Sequence, residues 1–128
     1  MVNDINVLVV DDEEEMCWAL ENVLKKDGYN IVTTTSGIDA IALIKKKLFK
    51  IAFVDIKLPD IDGIELAGLI KKEDPRIRTI LISGYYYKDD YNIQKGLRDG
   101  AYVTFIGKPF DINEVRNAMQ YALKAGTQ

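Results

Sequence analysis

Apolar residues along this chain recur with two spacings. Five short runs are rich in β-branched and aromatic residues and predict strands: Asn6–Val10, Asn30–Thr35, Ile51–Val54, Thr79–Ile82 and Tyr102–Ile106. The segments between them carry helical spacing. Met16, Leu20, Val23 and Leu24 make one face, closed by Asp27-Gly28, and Ile38, Ile41, Ile44 and Leu48 make a second, with Ser36 as N-cap. Ile64, Leu66, Leu69 and Ile70 follow Asp62-Gly63 and stop before Asp74-Pro75. Tyr91 to Arg98 is a weaker helical stretch ending at Gly100. Asp111 and Glu114 form a capping box for a last helix with Ile112, Val115, Met119 and Leu123 on its apolar face.

Strand and helix alternating five times predict an α/β unit with a parallel sheet covered on both faces. The first and third runs are apolar almost throughout, as central strands should be, whereas the second is half threonine, as an edge strand would be. This pattern fits the doubly wound order 2-1-3-4-5, whose switch point lies between strands one and three. The 128 residues fit one domain, read as spanning 1–128, with no repeat or linker inside it.

That switch point is where the acids fall. The first strand runs into Asp11 and Asp12, and the third ends at Asp55. Neighbouring strands would bring these three carboxylates together, and like charges so placed disfavour joint ionisation. Either a pKa rises or a cation binds, unless the three are merely solvated helix caps. Oxygen-only ligands at an open edge suit a hard ion such as Mg2+. Glu13, Glu14 and Glu15 are expected in the first helical turn, where negative charge complements the helix dipole. The fourth strand ends at Ser83 and the fifth at Lys108. Taken singly, these are a turn hydroxyl and a surface charge; together with a metal they would hold the oxygens of a phosphoryl group. Pro109 biases Lys108 toward extended backbone and leaves both isomers of the bond open.

Composition narrows the chemistry further. The chain has no histidine, which removes histidine bases, most zinc sites and Ser-His or Cys-His pairs. A net charge of -3 argues against direct nucleic-acid binding by this domain. A lone Cys17, no signal-peptide pattern and no apolar run of membrane length lead to the expectation of a cytoplasmic protein without membrane contact. No Gly-rich phosphate loop is present, so direct use of ATP is not expected.

The stretches "VLVVDDEEE", "FVDIKLPDIDGIEL", "ILISG" and "GKPF", in this order and spacing, resemble the receiver domain of two-component response regulators across essentially the whole chain. The resemblance implies the flavodoxin-like (βα)5 fold, with Asp55 as phosphoacceptor. It implies that Mg2+ (or Mn2+) is held directly by Asp12, Asp55 and the backbone carbonyl of Lys57, and by Asp11 through a water. Ser83 and Lys108 would contact the phosphoryl oxygens, and Ser83 with Phe105 would form the switch. The donor would be a sensor histidine kinase or phosphotransfer protein. Output would go to a partner or effector domain through the helix 4–strand 5–helix 5 face. Such a domain is no enzyme toward a separate substrate; it catalyses only its own aspartyl phosphorylation and dephosphorylation.

Two departures from the family stand out. The segment from Ser83 to Gly100 is longer by about two residues, and that between Ala101 and Phe105 by one. Within the first, Tyr85, Tyr86 and Tyr87 are either an aromatic docking surface or loop and packing residues. Lys57 and Tyr85, each two residues beyond a pocket residue, are expected from the resemblance to flank the route of a water attacking the phosphoryl group and to influence its lifetime. Trp18 reads as a half-buried surface aromatic, and Lys45–Lys47 and Lys71-Lys72 as solvated helix faces. No output segment follows the last helix, so a stand-alone regulator or the first part of a longer one is expected. The alternatives are a degenerate receiver that binds partners without phosphorylation, and an aspartyl-phosphate phosphatase. The latter would need a second acid where Lys57 stands.

Overall fold

A computed structural model describes residues 4–84 and 91–125. Elements alternate strictly: β1 (Asn6–Val10), α1 (Glu14–Lys26), β2 (Asn30–Thr34), α2 (Gly37–Lys46), β3 (Ile51–Asp55), α3 (Gly63–Glu73), β4 (Arg78–Ser83), α4 (Tyr91–Asp99), β5 (Thr104–Gly107) and α5 (Ile112–Ala125). The five strands form one parallel sheet in the order β2-β1-β3-β4-β5, as the sequence pattern predicts.

The period-two alternation of strands sorts the core into two layers. Val7 and Val9, Ile51 and Phe53, and Ile80 and Ile82 face Leu20 and Leu24 of α1 and Val115 and Met119 of α5. Leu8 and Val10, Ala52 and Val54, and Leu81 face Ala40 and Ile44 of α2, Leu66 and Ile70 of α3, and Ile93 of α4. Because β1 and β3 are covered on both sides, their residues are buried almost without exception, while β2 at the edge keeps Asn30 and Thr33 exposed.

Several helix faces differ from the sequence reading in a consistent way. Ile38, Leu48, Leu69 and Ile112 are exposed, and Ala40, Ala67, Ala118 and Ala122 lie in the core instead. Small residues let a helix approach a flat sheet closely, and counting only large apolar side chains rotates the inferred face toward solvent. Leu48 also lies past the end of α2. Trp18 is 69% exposed, beyond the half-burial expected of it.

The last strand starts later than expected, at Thr104 rather than Tyr102. Tyr102 is released from the sheet and runs beneath α4, fully buried, with its hydroxyl donating to the Ile93 carbonyl at 2.6 Å. Gly96 makes this possible, since a Cβ there would overlap the Tyr102 ring. Helix α4 then ends at Gly100, whose φ of 78° is a left-handed conformation suited to glycine. The expected capping box closes α5: Glu114 N–H donates to Asp111 Oδ1 at 2.8 Å and Asp111 N–H to Glu114 Oε1 at 3.3 Å. The Lys108–Pro109 peptide is cis. No helix among the described residues is long and apolar enough to cross a membrane.

Candidate functional site

Parallel strands end on one side of the sheet, and the chemistry collects there. Asp55 and Ser83 are the final residues of β3 and β4, and Asp11 directly follows β1. Lys108 follows β5, its N–H donating to the Ser83 carbonyl at 2.7 Å. Four strand ends thus fix four side chains around one point.

Asp11 is the deepest of them, with no exposed surface. Its N–H donates to the Thr34 carbonyl at 3.1 Å, and its own carbonyl accepts from the buried Cys17 thiol at 3.3 Å. Burial pushes that thiol up to about 11, aided by the Asp11 charge, so Cys17 is a protonated donor that braces the backbone there. Asp11 Oδ1 accepts from Glu13 N–H at 2.9 Å. Its Oδ2 lies 3.1 Å from Lys108 Nζ but outside hydrogen-bonding geometry, and among the described residues it has no hydrogen-bond partner. Burial pushes the Asp11 carboxyl up to about 6, opposed by the Glu13 N–H and reinforced by the Asp55 charge.

Lys108 spans the cluster. Besides Asp11, its ammonium lies 3.2 Å from Asp55 Oδ2 and 2.8 Å from Glu13 Oε1. Burial works against that charge, but the Glu13 hydrogen bond and the Asp11 and Asp55 carboxylates outweigh it and hold Lys108 above the usual lysine range. Asp55 Oδ1 accepts from Lys57 N–H at 3.4 Å. The loop that follows is closed by a bridge between Lys57 and Asp62 and by Gly63 N–H donating to the Ile56 carbonyl at 2.7 Å. Gly63 sits so tightly under Asp55 that a Cβ would collide with the Asp55 backbone. Ser83 is buried on the strand beside Asp55. Phe105 pairs with Leu81 across β4 and β5 and is half-buried on the α2–α4 side.

The structure therefore brings together Asp11, Asp12, Asp55, Lys57, Ser83 and Lys108, the residues selected from sequence. Glu13 is a correction. It is not in the first turn of α1 but is its N-cap, with extended backbone (φ -90°, ψ 110°), which turns its carboxylate back onto Lys108. One oxygen from each of Asp11, Asp12, Glu13 and Asp55 can be taken so that all lie within 4.8 Å of one another. A run of five acids at a strand end contained this signal, but sequence does not say where the helix begins. Cys17 was also not selected; nothing but its position one turn beyond the acids pointed to it.

These donors fit a divalent hard cation. They are all oxygens, those of Asp12 and Glu13 at an open edge, and one buried carboxylate oxygen of Asp11 has no hydrogen bond. The Lys108 ammonium lies against three carboxylates, and Asp12 adds a fourth to the cluster, which leaves an excess of negative charge that a cation would offset. A hollow of about 630 Å³ lies elsewhere, at the opposite end of the sheet between Asn6, Leu48, Asp74 and Arg78. Tyr85 to Tyr87, raised above as a docking surface and, for Tyr85, as a flank of the water route, lie outside the described residues.

Comparison with known proteins agrees with this geometry. The family model for the response regulator receiver domain matches residues 7–120. Sporulation initiation phosphotransferase F of Bacillus subtilis is 34% identical over 120 residues, covering 94% of either chain. The transcriptional regulatory protein ZraR of Salmonella typhimurium is 29% identical over 93% of this chain, which spans 26% of that longer protein. A CheY-like receiver domain structure from Methanospirillum hungatei superposes with a TM-score of 0.88 over 97% of each chain, at 23% identity, a likeness of fold. With its strand order, its acid cluster and the family match over most of its length, the chain belongs to the receiver domains of two-component response regulators.

Proposed function

We propose that this domain is a phosphorylation switch in which Asp55 accepts a phosphoryl group from the phosphohistidine of a sensor kinase or phosphotransfer protein. The observation that carries this reading is the meeting of Asp11, Asp12, Asp55 and Lys108 at the strand ends, with Lys108 already 3.2 Å from the Asp55 carboxylate. The Bacillus subtilis relative is itself, by name, a phosphotransferase.

In the transfer, an Asp55 carboxylate oxygen attacks phosphorus in line. The new bond is O–P, the bond broken is P–N, and the electron pair leaves with the donor's imidazole. No general base is required, because a carboxylate oxygen attacks without giving up a proton. Lys108 shifts from Asp55 to an oxygen of the transferred group, and Ser83, on the adjoining strand, donates its hydroxyl to another. Mg2+ (or Mn2+), held by Asp12, Asp55 and the Lys57 carbonyl and by Asp11 through a water, would supply charge neutralisation at the phosphoryl oxygens. Movement of Ser83 toward the new group vacates space on the α4 side, which Phe105 in its half-buried position is placed to fill. Two arrangements of the α4–β5–α5 face then follow, one for each state, and a kinase and an output partner read them. The domain performs no chemistry on a separate substrate, and it works where its kinase does, in the cytoplasm.

Incubation with Mg2+ and a small phosphodonor, followed by intact mass measurement, tests this. A gain of one phosphoryl group, lost in Asp55→Ala or without Mg2+, is the expected result. No adduct, together with no structural response to beryllofluoride, would leave a binding module that does not use phosphorylation.

A further inference from the structure

The loop between β3 and α3 carries Lys57, and its far end is anchored by a residue with no part in the chemistry. Asp60 does not cap its own helix. That is done by Asp62, whose Oδ1 accepts from Ile64 N–H at 2.8 Å. Asp60 reaches across to α2. Its Oδ1 accepts from Gly37 N–H at 3.0 Å and its Oδ2 from Ile38 N–H at 2.9 Å, and the Ser36 hydroxyl lies 3.3 Å from Oδ2. These are orphan donors of the first turn of α2, which Ser36 by itself satisfies only at Asp39 N–H, 3.2 Å away. The Ile38 and Gly37 N–H groups hold the Asp60 carboxyl below the usual carboxylate range, so the anchor persists through mildly acidic pH.

A second contact reinforces the first. Ile61 packs against the bare Cα of Gly37, where a Cβ would collide with it. Asp60 and Ile61 thus clamp the loop to one turn of α2, while the Lys57–Asp62 bridge and Gly63 clamp its two ends together under Asp55. Lys57 sits in a loop held from both sides.

We propose that Asp60 is a positioning residue for the cation site: by tying the loop to α2 it fixes the backbone at Lys57, whose carbonyl is the one backbone ligand of the set. This rests on the reading of the acid cluster as a Mg2+ site. A backbone carbonyl has no rotamers to adjust, so its aim is set by the loop alone. Weakening the loop therefore weakens the ion before it weakens the fold.

The test is Mg2+ titration by calorimetry of the intact chain and of Asp60→Ala, Asp60→Asn and Ile44→Val, the last a control loosened elsewhere in α2, with amide exchange followed at Lys57 and Leu58. Asp60→Ala is expected to raise the Mg2+ dissociation constant by roughly tenfold, at the low end for loss of a group supporting a metal ligand. Exchange at Lys57 should quicken, and Asn, which keeps one acceptor, should recover part of the affinity. Ile44→Val should lower stability and leave Mg2+ affinity unchanged. Unchanged affinity in Asp60→Ala, or equal loss in Ile44→Val, would overturn the proposal. Failure of the unsubstituted chain to bind Mg2+ would instead overturn the cation site itself.

Discussion

Replacing Asp11 with asparagine should make the metal-free domain more stable and weaken its response to Mg2+. Asp11 is fully buried, and its carboxyl is pushed from 3.8 up to about 6. The native state therefore holds this proton more tightly than the unfolded chain does. Stability from this group is fully present below pH 4 and declines as pH rises between about 4 and 6, because over that window the folded form binds more protons. Above pH 6 the ionised side chain carries a penalty of about 3 kcal/mol, from a shift of roughly two pH units at 1.36 kcal/mol each. Asparagine resembles the protonated acid: it keeps the oxygen that accepts from Glu13 N–H and replaces only Oδ2, which makes no hydrogen bond. Urea unfolding in a chelator, from pH 4 to 8, should show the two proteins converging at pH 4 and the variant ahead by as much as about 3 kcal/mol at pH 8. Added Mg2+ should stabilise the parent more than the variant at the same concentration. A variant less stable than the parent at pH 8 in chelator would refute this, and would mean that the ion contact with Lys108 outweighs desolvation.

Other perturbations test separate parts of the site and its frame. Glu13→Gln weakens the shortest contact of Lys108; the Glu13 carboxylate is solvent-exposed although the ammonium is not, and screening on that side holds the contact to about 1 kcal/mol, so phosphorylation by a small donor should quicken by no more than about fivefold in a mass-monitored time course. Tyr102→Phe should lose about 1 kcal/mol with the hydrogen bond to Ile93, seen as faster amide exchange confined to α4. Gly63→Ala pushes a methyl into the Asp55 backbone and should destabilise by about 1–3 kcal/mol in denaturant while slowing phosphoryl acceptance.

The parts of this molecule legible in sequence share a physical basis. Val7 to Val10 and Ile51 to Val54 are apolar because both sheet faces are covered, and that property orders the strands without any contact being known. Once β1 and β3 are neighbours, Asp11 and Asp55 must meet, so the acid site followed from topology. Helix rotation was harder to read. Ala40, Ala67 and Ala118 give a weak hydropathy signal yet lie against the sheet, because what matters there is how close the backbone can come. Glu13 was misplaced for a related reason. In a run of acids the residue that caps a helix and the residue that starts it look alike, and only backbone geometry turns one of them onto Lys108. The Tyr102–Gly96 lock and the Asp60 clamp were invisible, since each joins residues that only the folded chain brings into contact.

The claim that Asp55 is the phosphoacceptor can be put to the chain directly. The protein is phosphorylated with a small donor in Mg2+, the acyl phosphate is reduced with borohydride, and the digested peptides are sequenced by mass spectrometry. Reduction should convert a single residue, Asp55, to homoserine, in a Mg2+-dependent reaction. Homoserine at Asp11 or Asp12 instead, or at no aspartate when phosphohistidine kinase is also supplied, would contradict it.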